Sequence, residues 1–221
     1  MQTGDFIFVD FIGKTKEDNQ IFDLTKEDIA KEKKIYRPDF RYAPIPVIVD
    51  AGLILKGIDS ALKEMKVGEK KVVEISPENG FGQRKDELIK LVPISVFRDN
   101  GIDPRIGSYV TLNNLNGKIL SMDGGRIKVD FNHPLAGKKL EYEIEIKSEL
   151  TNADEKVKAI ISYFTSLNFP QIDAEVKEKE VQIGFKTKGD LPMATKETIA
   201  NTIIQWVKPI EKVKFVDVFP Q

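Results

Sequence analysis

The spacing of apolar and polar residues changes rhythm along this chain, and each change predicts a different kind of structure. In "DFIFVDFIGKTKEDNQIFD", Phe6, Phe8 and then Phe11 lie opposite Ile7 and Val9, and a polar run at 16–19 follows. Alternation closed by a polar turn predicts the opening of a hairpin. Residues 26–34 are highly charged and predict a short helix, whereas "YRPDFRYAPIP" is a proline- and aromatic-rich excursion without a clear period. In "PVIVDAGLILKGIDSALKEMKVGEKKVVEI", residues 47–49 read as a short strand. Ile58, Leu62 and Met65 share one face of a short helix, Gly68 ends it, and residues 71–75 return as a strand.

From about residue 86 the texture becomes that of short strands and tight turns. Asn100-Gly101, Asn116-Gly117 and Asp123-Gly124-Gly125 separate apolar runs at 109–112, 118–122 and 126–131. These signals predict a small all-β unit of hairpins. The earlier rhythm resumes at "HPLAGKKLEYEIEI", where Leu140, Tyr142, Ile144 and Ile146 alternate with charged residues. A third texture begins near Thr151. Thr151 or Asn152 can cap a helix, with Asp154 or Glu155 three residues on, and Val157, Ile160, Ile161 and Phe164 follow at helical spacing. Residues 180–186 alternate Val181, Ile183 and Phe185 inward; a second helix carries Ile199, Ile203, Trp206 and Val207; residues 212–219 form a last strand. The order α-β-α-β predicts a small two-layer domain. Its thin sheet needs a partner at an edge or on one face.

Composition narrows the chemistry. The 221 residues hold 34 Lys and Arg against 35 Asp and Glu, a net charge of −1 that calls for neither nucleic acid nor an anionic membrane as partner. No cysteine is present, so disulfides, thiolate metal sites and cysteine nucleophiles are excluded. With His133 the single histidine, every Ser-His-Asp arrangement would depend on it, and a zinc site would need carboxylates for nearly every ligand. The N-terminus lacks a basic region before an apolar core, and no apolar run reaches membrane-spanning length. A cytoplasmic protein without metal or cofactor is expected.

The ordered set "QIFD", "GLILKGIDSALKEMKVGEKKVVEISPENGFG" and "HPLAGKKLEYEIEI" resembles the FKBP-type peptidyl-prolyl cis/trans isomerases, in particular the SlyD-like branch and its long archaeal relatives. The resemblance implies an α+β fold: an antiparallel β half-barrel wrapped on a short helix, with a small all-β domain inserted in the flap and a C-terminal αβαβ domain. The implied boundaries are 1–86 with 132–149 for the isomerase domain, 87–131 for the insert and 150–221 for the tail. It further implies a substrate groove of Phe11, Phe22, Asp23, Ile54, Leu55, Ile58, Phe81, Leu135 and Tyr142. Taken singly, each apolar member also reads as ordinary core. Asp23 reads either as a turn residue or as a carboxylate that orients a substrate carbonyl. His133 becomes a loop residue near the groove rim.

Two phenols usual in the family are missing, because Phe11 and Phe81 replace tyrosines. Ile58 stands where a tryptophan floor is common, and Tyr142 replaces the usual phenylalanine. Leu91, Val92, Ile94, Val96 and Phe97 flank a proline in the insert, which in relatives captures non-native chains; these residues otherwise form the insert's own small core. Unfolded, proline-containing polypeptides are the implied partners; the thin tail sheet suggests a homodimer, and the alternative is a monomer whose tail packs on its own barrel. The expected activity is isomerisation of X-Pro bonds with built-in chaperone function. The alternative is a peptide-binding holdase with little isomerase activity. A hydrolase built on His133 has almost no support.

Overall fold

The computed structural model describes residues 1–165, 167–186 and 191–216. The chain opens with β1 (Phe6–Thr15), β2 (Ile21–Leu24), α1 (Glu27–Glu32), β3 (Ile45–Ile48), α2 (Lys56–Glu64) and β4 (Lys70–Ile75). There follow β5 (Ile89–Pro93), α3 (Ile94–Asp99), β6 (Tyr109–Leu112), β7 (Leu115–Asp123), β8 (Arg126–Asp130) and the long β9 (Leu140–Leu150). The tail holds α4 (Ala153–Thr165), β10 (Ile172–Lys177), β11 (Glu180–Phe185), α5 (Met193–Trp206) and β12 (Lys212–Phe215).

The first sheet runs β2-β1-β9-β4, with β3 also paired to β1, and every pairing is antiparallel. Ile7, Val9, Val47, Leu62, Met65, Ile75, Leu140, Tyr142, Ile144 and Ile146 form one core between this sheet and α2. Both rows of β1 are apolar because both faces are covered at that end. Ile7 and Val9 face the α2 side, whereas Phe6 and Ile48 join the core of the tail with Val157, Ile160 and Ile161 of α4.

The second sheet runs β5-β8-β7-β6. The expectation of an all-β insert is corrected here: residues 94–99 form a helix. Ile94 and Phe97 have strand-like side chains, but Pro93 stands at the helix N-cap, and the turn that follows carries Phe97 into the core with Val110, Leu112, Ile119, Ile127 and Val129. Tertiary packing overrides the local preference of a short β-branched run.

The third sheet runs β10-β11-β12, antiparallel and then parallel. The tail is therefore αββαβ, not αβαβ. The added strand β10 alternates Ile172, Ala174 and Val176 with Asp173, Glu175 and Lys177, a pattern weakened by the small Ala174. β12 is described only to Phe215, and the expected continuation at 217–219, including Val218, lies outside the described residues. Val181 and Ile183 are fully buried together with Ile199 and Ile203 of α5 and the α4 residues. The apolar sheet face that suggested a second copy is thus covered by the chain's own helices.

Candidate active site

Gly13, Tyr142 and Asp23 lie on one cross-strand row, since Gly13 pairs with Asp23 on β2 and with Tyr142 on β9. Sequence reasoning passed over Gly13. A Cβ there would stand 2.8 Å from Cε1 of Tyr142 and 3.0 Å from two ring carbons of Phe22. The missing side chain therefore lets two aromatic rings close over the strand. The signal was available as a glycine inside an alternating strand, which often marks a close approach.

The rings form a connected wall. Phe11 and Phe22 lie 5.9 and 5.7 Å from Tyr142, Phe22 meets Phe81 edge-on at 6.4 Å, and His133 stacks on Phe81 at 4.3 Å. Such tilted and edge-on contacts suit ring quadrupoles. His133 Nδ1 accepts the Leu135 N–H at 3.2 Å, which puts the proton of its neutral ring on Nε2. His133 is exposed at the rim.

The aliphatic side is set by α2 and the loop before it. Leu55 is the N-cap of α2, and its carbonyl accepts the N–H groups of Ile58 and Asp59. The buried Asp59 carboxylate, also overlooked in the sequence, accepts the Asp50 N–H at 2.7 Å and folds the 50–59 loop back onto the helix. Ile54, Leu55 and Ile58 are half-buried against the same core as Phe11, Phe22, Phe81, Leu135 and the nearly buried Tyr142. All eight apolar residues proposed from the sequence therefore meet in one cluster. Asp23 stands beside it, more open to solvent.

Electrostatics follow from this setting. Partial loss of solvent beside the rings pushes the Asp23 carboxyl up although the residue as a whole is exposed, against the Leu24 N–H and the Arg37 charge, which favour its ionised form. Burial also pushes the Tyr142 phenol up, and the negative charge of Asp23 adds to the effect. No nucleophile–base pair is present among these groups. What they offer is an apolar, aromatic cluster with one carboxylate and one phenol beside it.

The flap is anchored at both of its crossings to the second sheet. Gly82 has φ +77, donates its N–H to Pro77 O and accepts the Gly137 N–H, so the turns around Phe81 and Leu135 are tied together. Farther out, the Asn132 side chain accepts the Lys85 N–H at 2.8 Å and donates to Lys85 O at 2.9 Å. Arg84 pairs with Asp130 at 2.6 Å, and Phe131 N–H donates to Leu88 O.

Among the residues expected to capture clients, Leu91 is 62% exposed and Ile94 is 37% exposed. Val92 and Val96 pack partly against the insert core, and Phe97 is completely buried. Phe97 therefore differs from the exposed residues expected to capture clients: it is packed inside the core with Val110, Leu112, Ile119, Ile127 and Val129.

A chain with this antiparallel sheet packed on α2 and this cluster of rings is similar to known proteins in four comparisons. The family model described as FKBP26, IF domain, matches residues 90–135. The short-type peptidyl-prolyl cis-trans isomerase of Methanocaldococcus jannaschii is 37% identical over 147 residues, 66% of this chain and 92% of that protein. A probable FKBP-type 16 kDa peptidyl-prolyl cis-trans isomerase of Pseudomonas fluorescens is 37% identical over 112 residues, 48% of this chain and 73% of that one. The SlyD isomerase of Vibrio cholerae is 29% identical over 109 residues, covering 47% and 53%. The chain belongs to the FKBP-type peptidyl-prolyl cis-trans isomerases.

Proposed function

We propose that the groove catalyses rotation of X-Pro bonds in folding polypeptides by binding the twisted amide better than the planar one. A peptide bond resists rotation by about 18–20 kcal/mol because twisting destroys its resonance. The twisted amide is less zwitterionic, so transfer from water into an apolar wall penalises it less than the planar form. A difference of about 4–7 kcal/mol corresponds to roughly 10³–10⁵-fold acceleration. The supporting observation is the ring chain Phe11–Tyr142–Phe22–Phe81 facing Ile54, Leu55 and Ile58 within one apolar cluster. No proton transfer is required of His133.

The proposed division of labour assigns residues 1–86 and 132–149 to isomerisation, 87–131 to capture of non-native, proline-containing chains, and 150–221 to a separate tail unit. β5 is an edge strand of its sheet, and Leu91 and Ile94 offer exposed apolar side chains on and beside it, which suits pairing with an extended client. Capture beside the groove raises the local concentration of client prolines. Self-association of the tail is proposed only through the edges β10 and β12, and light scattering on the full chain tests it.

A proline-limited refolding assay, run with and without residues 87–131, tests the main reading. Sub-stoichiometric acceleration that falls on removal of the insert supports it. Suppressed aggregation without acceleration, at near-stoichiometric amounts, would instead support the holdase reading, which the missing phenols at Phe11 and Phe81 favour.

A further inference from the structure

We infer that the Tyr142 hydroxyl is the groove's side-chain hydrogen-bond donor to the substrate, and that it holds a carbonyl neighbouring the rotating X-Pro amide rather than the rotating carbonyl itself. This rests on the groove reading above and adds a role that the ring-lined wall does not require.

Geometry carries the inference. The Tyr142 ring reaches across Gly13 toward the Asp23 side of the row and is fixed between Phe11 and Phe22. The residue is only 5% exposed, yet among the described residues no buried side-chain nitrogen or oxygen lacks a hydrogen-bond partner. No protein group among those residues hydrogen-bonds the Tyr142 hydroxyl, so the hydroxyl is not sealed in the core. It keeps some accessible surface beside the rings of Phe11 and Phe22, where a substrate group could reach it. The other wall residues Phe11, Phe22, Phe81, Ile54, Leu55 and Ile58 carry no donor, and an ionised Asp23 only accepts. His133 lies beyond Phe81 at the rim.

The choice of carbonyl follows from amide chemistry. A peptide entering this wall gives up water on its carbonyl oxygens, and an unpaired one is costly. A donor to the oxygen of the rotating amide would strengthen the planar, zwitterionic form and oppose catalysis. A donor to an adjacent carbonyl, whose charge does not change during rotation, binds planar and twisted states equally. Tyr142 is then an anchor, and its loss is read in substrate affinity and not in turnover. Burial and the neighbouring Asp23 charge both keep the phenol protonated, so the donor persists at neutral pH.

The test compares wild type, Tyr142→Phe, Asp23→Asn and the double variant with one short X-Pro peptide, measuring kcat and KM by isomerisation and Kd by calorimetry. Tyr142→Phe keeps the ring and is expected to raise KM and Kd about 3- to 10-fold, the weight of one net hydrogen bond. Turnover should stay within about twofold and the melting temperature unchanged. The same rise should recur in the Asp23→Asn background. Unchanged affinity, a loss confined to kcat, or disappearance of the effect beside Asp23→Asn would each overturn the inference. The last result would assign the hydroxyl to Asp23. A wild type that binds the peptide without isomerising it would refute the catalytic reading, and the Kd comparison would still decide the role of Tyr142. Absence of binding by wild type would refute both.

Discussion

Gly13→Ala is the smallest change that tests whether ring placement makes the groove. The new methyl would stand 2.8 Å from Tyr142 Cε1 and 3.0 Å from Phe22 Cε2 and Cζ. Carbon–carbon contacts settle near 3.5–4.0 Å, so the rings must retreat by roughly 0.5–1 Å. Retreat is restricted on one side of each ring, because Tyr142 backs onto Phe11 and Phe22 onto Phe81. Overpacking of this kind costs about 1–3 kcal/mol, partly offset by the roughly 0.5–1 kcal/mol that alanine gains over glycine in a strand. Net stability should therefore fall only modestly. Activity should fall further, because displacement of a catalytic wall by about 1 Å can cost up to about a hundredfold; a loss of at least about tenfold in kcat/KM is expected. The assay is isomerisation of a short X-Pro peptide, with urea denaturation of the same samples. Ile146→Val supplies the control, since it loses about 0.5–1.5 kcal/mol in the same core without displacing a ring. Full activity in Gly13→Ala, or an equal loss in Ile146→Val, would refute the argument.

Four further outcomes follow from the structure. Phe97→Ala should cost about 3–5 kcal/mol and unfold the insert, seen as lost hydrogen-exchange protection in β5–β8. Leu91→Ser should change stability by no more than about 0.5 kcal/mol while weakening catalysis of protein refolding. Asn132→Ala removes the side chain that clasps Lys85, so short-peptide kcat/KM should stay within about twofold while refolding catalysis drops as the capture surface loses its fixed aim; equal loss in both assays would make the clasp part of the groove. Finally, hydrogen bonding from Lys147, with further help from Lys26 and Lys70, holds the Glu145 carboxyl down to about 2 from an ordinary 4.5. Its contribution is complete above about pH 4.5 and is lost as pH falls toward 2. Wild type should lose stability more steeply than Glu145→Gln across that window in denaturant titrations. The difference should be small, because the lysine partners are solvated.

Apolar periodicity by itself determined that this chain makes paired strands before residue 86, short hairpins up to about 131, and amphipathic helices in the tail. The ordered motifs pointed to the family and singled out Phe11, Phe22, Phe81 and Tyr142, which the structure joins in a single run of rings. A period states which side chains share a face, but it is silent about what covers that face. Only the tertiary structure decided that Phe6 and Ile7 both go inward, toward different cores, and that the tail packs on its own barrel instead of leaving Val181 and Ile183 open. It also decided that residues 94–99 coil to bury Phe97, where local preference alone favoured a strand. Gly13 and Asp59 show the same limit at the site. One acts through the side chain it lacks, and the other through a backbone N–H nine residues earlier. Neither role exists until distant strands and the helix have closed around it.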